Sequence, residues 1–304
     1  MMTSSSSSFP RRGLGHEARV GLLLVTLSAI AWSTAGFFTR LIPQDAWTML
    51  FWRGVFGALT GLAFVVARDR GHVLATFTGM GRCGVLFTLL SSGGMIAFLG
   101  SLRLTTVAHV AIIYAVVPFM AAGLAWVVMR ERASRATLLA SMVALAGVAL
   151  TVGGGIGEGS LAGDGLAVVM TLGMAAMIVL ARSAPGTIPM VPAACLSAAL
   201  TALVSLPLAS PASVGLLDLG YLALFGITNM GLGLIFFTIG ARMIPAVQTA
   251  LIGALDAPLA PVWVWLAFGE TPRATTILGG TVVLAAVLTH IWWESRPARG
   301  ERHP

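Results

Sequence analysis

Lysine is absent from the 304-residue chain, and 11 acidic residues face 18 arginines. Charged residues make up 10% of the sequence, where a soluble globular protein carries about 25%. That shortage excludes a soluble cytosolic enzyme and a disordered chain. The formal net charge is +7, but the arginines are spread thinly between apolar runs. No dense basic face results, and no nucleic-acid partner is expected. Cysteine is scarce as well. Cys83 and Cys195 lie far apart in or beside apolar segments, which gives neither a disulfide framework nor a metal-ligand spacing. No metal and no cofactor is expected. What the chain has in abundance is apolar side chains, at 57%.

A membrane-spanning helix needs about 20 mostly apolar residues. Breaking the sequence at charges and Gly/Pro clusters gives ten such runs, near 20–39, 46–67, 83–102, 105–129, 136–153, 165–183, 188–208, 217–240, 245–268 and 275–293. The expected class is an all-α membrane protein of ten transmembrane helices in a lipid bilayer. Residues 1–19 read as a disordered tail, 154–164 as a linker loop and 294–304 as a second tail. With the N-terminus in the cytoplasm, 14 arginines fall inside and three, Arg40, Arg103 and Arg273, fall outside. This asymmetry is the positive-inside pattern and places both termini in the cytoplasm. Arg11-Arg12 followed by an apolar run imitates an export signal. The run continues through Trp32 to Phe38, however, which is too long for such a signal.

The chain repeats itself. A shift of 139 residues aligns 98–148 with 237–287 without gaps. It matches Arg103 with Arg242, Trp126 with Trp265 and Glu131 with Glu270. The helices paired are the third with the eighth, the fourth with the ninth and the fifth with the tenth. The unit is therefore five helices, 20–153 and 165–293. An odd unit repeated once takes opposite orientations in the membrane, giving two five-helix inverted-topology repeats. Many secondary transporters have this architecture, with substrate held near the midplane between repeats. Two similar halves of opposite orientation can interconvert between states open to either side. One chain supplies both halves, so a monomer suffices.

The sequence resembles the drug/metabolite transporter superfamily, in its ten-helix EamA branch. The resemblance rests on Pro118 to Trp126 and Arg130-Glu131-Arg132, on Leu255-Asp256-Ala257-Pro258 through Trp265 to Gly269-Glu270, and on Phe51-Trp52-Arg53. It covers about 18–293. The family usually carries Glu-Pro in the ninth helix; here Asp256-Ala257 precedes Pro258. The resemblance implies a secondary carrier of the bacterial inner membrane that exports amino acids or related metabolites. Other members that look like this carry nucleotide sugars or drugs.

Ionisable groups inside a membrane are costly and therefore informative. Asp256 is the only carboxylate well inside an expected span. It can bind a substrate amine, take up a coupling proton, or simply sit hydrogen-bonded at a proline kink. His109, with Gln248 as its repeat counterpart, can carry a proton or bridge helices. Arg53 can snorkel to the interface or pair with a substrate carboxylate. Trp32, Tyr114, Trp126 and Trp263 can line a cavity and attract an ammonium group, or pack the core. Asn229 and Ser91 offer neutral hydrogen bonds or permit close helix approach. Glu131 and Glu270 read as structural ion pairs with Arg130, Arg132 and Arg273. Two other functions share this composition. An intramembrane enzyme needs a nucleophile beside a base, for which Ser91 and His109 are a poor pair. A passive facilitator channel differs in having no saturable flux.

Overall fold

The computed structural model describes residues 16–152, 160–183, 190–269 and 271–295. The glycine-rich part of the linker and most of both tails lie outside the described residues. Among the described residues nine helices are long and apolar enough to cross a membrane, and a tenth, Arg135–Thr151, is apolar and shorter. They are α1 (His16–Leu41), α2 (Ala46–Asp69), α3 (Gly81–Leu104), α4 (Val107–Tyr114 with Val117–Met129), α5 (Arg135–Thr151), α6 (Leu161–Ser183), α7 (Val191–Leu208), α8 (Leu216–Gly240), α9 (Ala246–Gly253 with Asp256–Phe268) and α10 (Ala274–Trp293). Helix is the only element found among the described residues. A chain in lipid must satisfy every backbone N–H and C=O internally, and a helix does so within one segment.

Helix ends depart from the expected limits. The first helix begins at His16 rather than after residue 19, and the sixth at Leu161, inside the expected linker. The last helix runs on to Ser295, past the expected end of its span. Polar residues in these terminal turns lower the hydropathy without interrupting backbone hydrogen bonding, so the helices outrun their apolar stretches.

The packing is that of two duplicated halves. α2 packs on α7, α5 on α10 and α4 on α9, while α3 meets α6 as α8 meets α1. Exchanging the first five helices with the last five maps these pairs onto themselves. Equivalent helices run antiparallel. Along α2, Thr48 meets Ser210, Gly54 meets Ala198 and Ala202, and Gly61 meets Cys195. Along α5, Gly147 meets Gly279 and Val283, and the Thr276 hydroxyl donates to the Thr151 carbonyl at 3.4 Å. The α5–α10 crossing is close because glycine lies on both sides. A Cβ on Gly279 would overlap the Gly147 carbonyl and the Thr151 backbone.

The repeat extends to backbone detail. α4 breaks at residues 115–116 and α9 at 254–255, the same place after the 139-residue shift. Each second segment ends on a left-handed residue, Arg130 at φ 57° and Gly269 at φ 69°. Proline explains the breaks. Pro118 and Pro258 stand in the first turn of the second segments. Neither has an N–H to return to the carbonyl four residues back, and the ring crowds that carbonyl. α1 is interrupted too, at Thr34, whose hydroxyl donates to the Ala31 carbonyl at 2.6 Å.

α2 begins at a side-chain cap. Asp45 accepts from the backbone N–H groups of Trp47 at 2.8 Å and Thr48 at 3.1 Å, and from the Thr48 hydroxyl. Thr48 in turn accepts from the Ser210 N–H at 2.8 Å, tying this end of α2 to the chain that follows α7. Partial burial pushes the Asp45 carboxyl up, but the bonds from Thr48 and Trp47 outweigh it and hold it below the usual carboxylate range.

Candidate functional site at the paired helix breaks

Asp256 opens the second segment of α9 and is half-buried. Tyr114 closes the first segment of α4. Their repeat counterparts are Val117 and Gly253. Neither polar side chain is therefore repeated at its equivalent position in the other half.

Asp256, Ala260 and Trp263 follow one another at helical spacing and share a face of α9. That face meets α1: Ala260 and Val264 approach Gly36, and the Trp263 indole N–H donates to the Ser33 hydroxyl at 2.8 Å. Ser33 donates onward to the Ile30 carbonyl at 2.7 Å. On the other side of α1, the Trp32 indole N–H donates to the Asn229 carbonyl at 3.0 Å. The Asn229 amide returns bonds to the Ala31 and Trp32 carbonyls, each at 3.2 Å. Asn229 lies in a π-helical stretch of α8, Gly226–Gly233, and such widened turns recur at functional positions. Trp32, Asn229 and Trp263 thus converge on the interruption in α1. Asn229→Ala is expected to cost about 1–3 kcal/mol, the loss of two interhelical bonds in a buried place. Thermal unfolding in detergent checks this, and an unchanged midpoint would count against it.

His109 lies elsewhere, at the junction of α3, α4 and α6. Its Nδ1 is 3.0 and 3.1 Å from the two carboxylate oxygens of Asp164, which also accepts from the Thr105 hydroxyl at 2.6 Å. Asp164 was not expected in a span. The sixth helix begins earlier than its hydropathy indicates, and Asp164 sits in its first turn, where the helix N-terminus favours a negative charge. A carboxylate three residues into an early helix start was the signal available. Among the described residues no serine bonds the His109 ring, so the nucleophile–base pair an enzyme needs is not assembled.

The remaining candidates separate. Gln248 is buried, and its Nε2 has no hydrogen-bond partner among the described residues. Ser91 is half-buried; the neighbouring Ser92 is the one that bonds α7, at the Ser197 carbonyl, 3.0 Å away. Trp126 and its counterpart Trp265 are exposed on the outside of the bundle, which removes Trp126 from any inner lining. Glu131 pairs with Arg182 at 3.6 Å rather than with Arg130 or Arg132. Arg182 also donates to the Arg242 carbonyl at 2.7 Å, so this ion pair ties the ends of α4, α6 and α8. Glu270 lies outside the described residues. Arg53 does not snorkel. It is only 8% exposed, packed between α3 and α8. Cys195 is a packing residue whose thiol donates to the Ala58 carbonyl. Among the described residues, no three His, Cys, Asp or Glu side chains gather to hold a metal ion.

Fold and site together define a multi-pass membrane protein of duplicated halves arranged around paired helix breaks. The EamA-like transporter family matches residues 19–153 and again 161–292. The chain belongs to that family, and so to the drug/metabolite transporters; it is a membrane transporter and not an enzyme. An uncharacterized transporter from Archaeoglobus fulgidus is 30% identical over 289 residues, covering 89% of this chain and 96% of the relative. One solved crystal structure superposes with a TM-score of 0.78 at 17% identity, over 91% of this chain and 99% of that one. At that identity the likeness speaks to the fold.

Proposed function

We propose that this transporter exports small organic metabolites, amino acids foremost, by alternating access about the paired breaks in α4 and α9. The proposed setting is a bacterial inner membrane with both termini in the cytoplasm. The units 20–153 and 165–293 move against each other. The observation that carries this reading is the coincidence of two helix breaks at equivalent positions with a single carboxylate, Asp256, at one of them. Broken helices at a repeat interface are where secondary carriers hold their substrates. Asp256 takes the substrate ammonium group or a coupling proton. Trp263 on the same helix, with Tyr114 of α4 and Trp32 of α1, supplies aromatic surface along the pathway, suited to cation–π attraction. His109, Gln248, Asn229 and Ser91 line or position the pathway.

The test is flux. Purified protein in liposomes is expected to move labelled phenylalanine and other neutral amino acids down a gradient, with saturation. No flux across a broad amino-acid panel would remove the substrate assignment. Flux that rises without saturation would replace alternating access with a facilitator channel.

A further inference from the structure

Among the described residues, Arg53 is a buried cation without an anion beside it. Its Nη2 points at the Met95 sulfur, 2.9 Å away, and its Cζ lies 5.1 Å from the centre of the Phe225 ring. A thioether is a weak acceptor, and a ring face compensates only part of a charge. The Nε has no hydrogen-bond partner. Among the described residues no carboxylate lies within ion-pair distance of the guanidinium. The adjacent Trp52 adds a second buried donor, its indole Nε1, without a partner among the described residues. Trp52 packs in the same aromatic cluster as Phe225 and Phe38.

Removing an ionised group from water without a counter-charge is strongly unfavourable. A planar guanidinium with five donors matches a carboxylate, which it can hold through two parallel bonds. Two further features point to a binding role. The backbone of Arg53 presses on Gly226, where the π-helical stretch of α8 begins. Arg53 also belongs to a continuous line of contacts. Phe38 stacks on Phe225 at 4.8 Å, Phe37 meets Phe38 at 5.1 Å, and Phe37 meets Phe268 at 5.8 Å. That line joins α1, α8 and α9 at the end of the bundle where α2 begins, and through Arg53 it reaches α2 and α3.

We infer that Arg53 is the anchor for a substrate carboxylate, and that Met95 and Phe225 mark the places the carboxylate takes when it arrives. The transporter then selects organic anions and zwitterions over plain amines. Arrival of the anion draws the guanidinium off Phe225 and loosens the aromatic line at that end. The inference rests on the exporter reading for its choice of ligands, but its test does not.

The experiment compares three probes on the full-length protein in detergent: phenylalanine, phenylpropionate, which lacks the amine, and phenethylamine, which lacks the carboxylate. Binding is read by titration calorimetry and by the ligand-dependent shift in unfolding temperature. Arg53→Gln is expected to weaken phenylalanine and phenylpropionate about tenfold and to leave phenethylamine within about twofold. Arg53→Lys is expected to lose less, since it keeps the charge and not the fork. Arg53→Met, without ligand, is expected to unfold no earlier than the parent, because losing the weak thioether and ring contacts is offset by removing a buried charge that has no carboxylate beside it among the described residues. The inference is overturned if phenylpropionate does not bind the parent protein. It is also overturned if Arg53→Gln weakens all three probes alike or none of them, or if Arg53→Met lowers the unfolding temperature. Arg53-dependent phenylpropionate binding without phenylalanine flux would remove the amino-acid assignment and leave the carboxylate site standing. Flux without Arg53-dependent binding would do the reverse.

Discussion

Asp256→Asn is expected to slow amino-acid efflux from loaded liposomes by roughly 10- to 100-fold, the worth of one charge-assisted hydrogen bond in a buried place. The substitution keeps the shape of the side chain and removes its charge. It therefore separates the two readings of this residue. If Asp256 only fills a proline-broken turn, asparagine serves as well, and flux stays within about twofold. If the carboxylate takes the substrate ammonium group or a proton, flux falls while protein yield and unfolding temperature hold. Repeating the measurement with and without a pH gradient divides the functional reading. A proton role predicts that the parent responds to the gradient and the variant does not. An amine role predicts that phenylpropionate, which has no amine, is moved equally by both proteins. Equal flux of every substrate by parent and variant would leave Asp256 a structural residue.

Gly279→Leu is expected to destabilise the protein by about 3 kcal/mol or more, at the upper end of the cost of overpacking a tight interior. The first carbon of the new side chain already meets backbone, the Gly147 carbonyl and the chain at Thr151. Backbone cannot rotate aside as a flexible side chain can. α10 must separate from α5, and the Thr276 bond to Thr151 goes with it. The measurement is the unfolding midpoint in detergent, together with the yield of folded protein. An exposed position on the same helix gives the control: Leu288→Ala, where the side chain is 57% exposed, should change the midpoint little. A Gly279→Leu protein as stable as the parent would mean that the α5–α10 contact is looser than described.

Much of this architecture was legible because it follows from periodicity and duplication. The apolar runs gave ten helices, and the matches of Trp126 with Trp265 and Glu131 with Glu270 gave the five-helix unit. The breaks in α4 and α9 were only half visible. Pro258 marked one, but the shift of one residue between Pro118 and Pro258 hid their equivalence, which the backbone nevertheless keeps. The site was harder to read. The bonds joining Trp32 to Asn229 and Trp263 to Ser33 span about two hundred residues, and nothing local announces them. Asp164 was missed because hydropathy ends where charge begins, whereas a helix tolerates an acid in its first turn. Arg53 was noticed by its type, but whether a buried arginine has a partner is decided by side chains from two other helices. The ion pair of Glu131 was assigned to its sequence neighbours, when the nearer cation comes from the far end of α6.

The antiparallel pairing of equivalent helices also bears on how the chain is made. α2 finds its partner only when α7 follows, and α5 finds its own only with α10, the last of the ten described helices in chain order. Until those partners emerge, the glycine-bearing faces of α2 and α5 lack the surfaces they pack on in the folded protein. The α5–α10 contact cannot form before α10 has emerged. A chain cut short before Gly279 would leave α5 without its partner and present quality-control proteases with an orphaned apolar face.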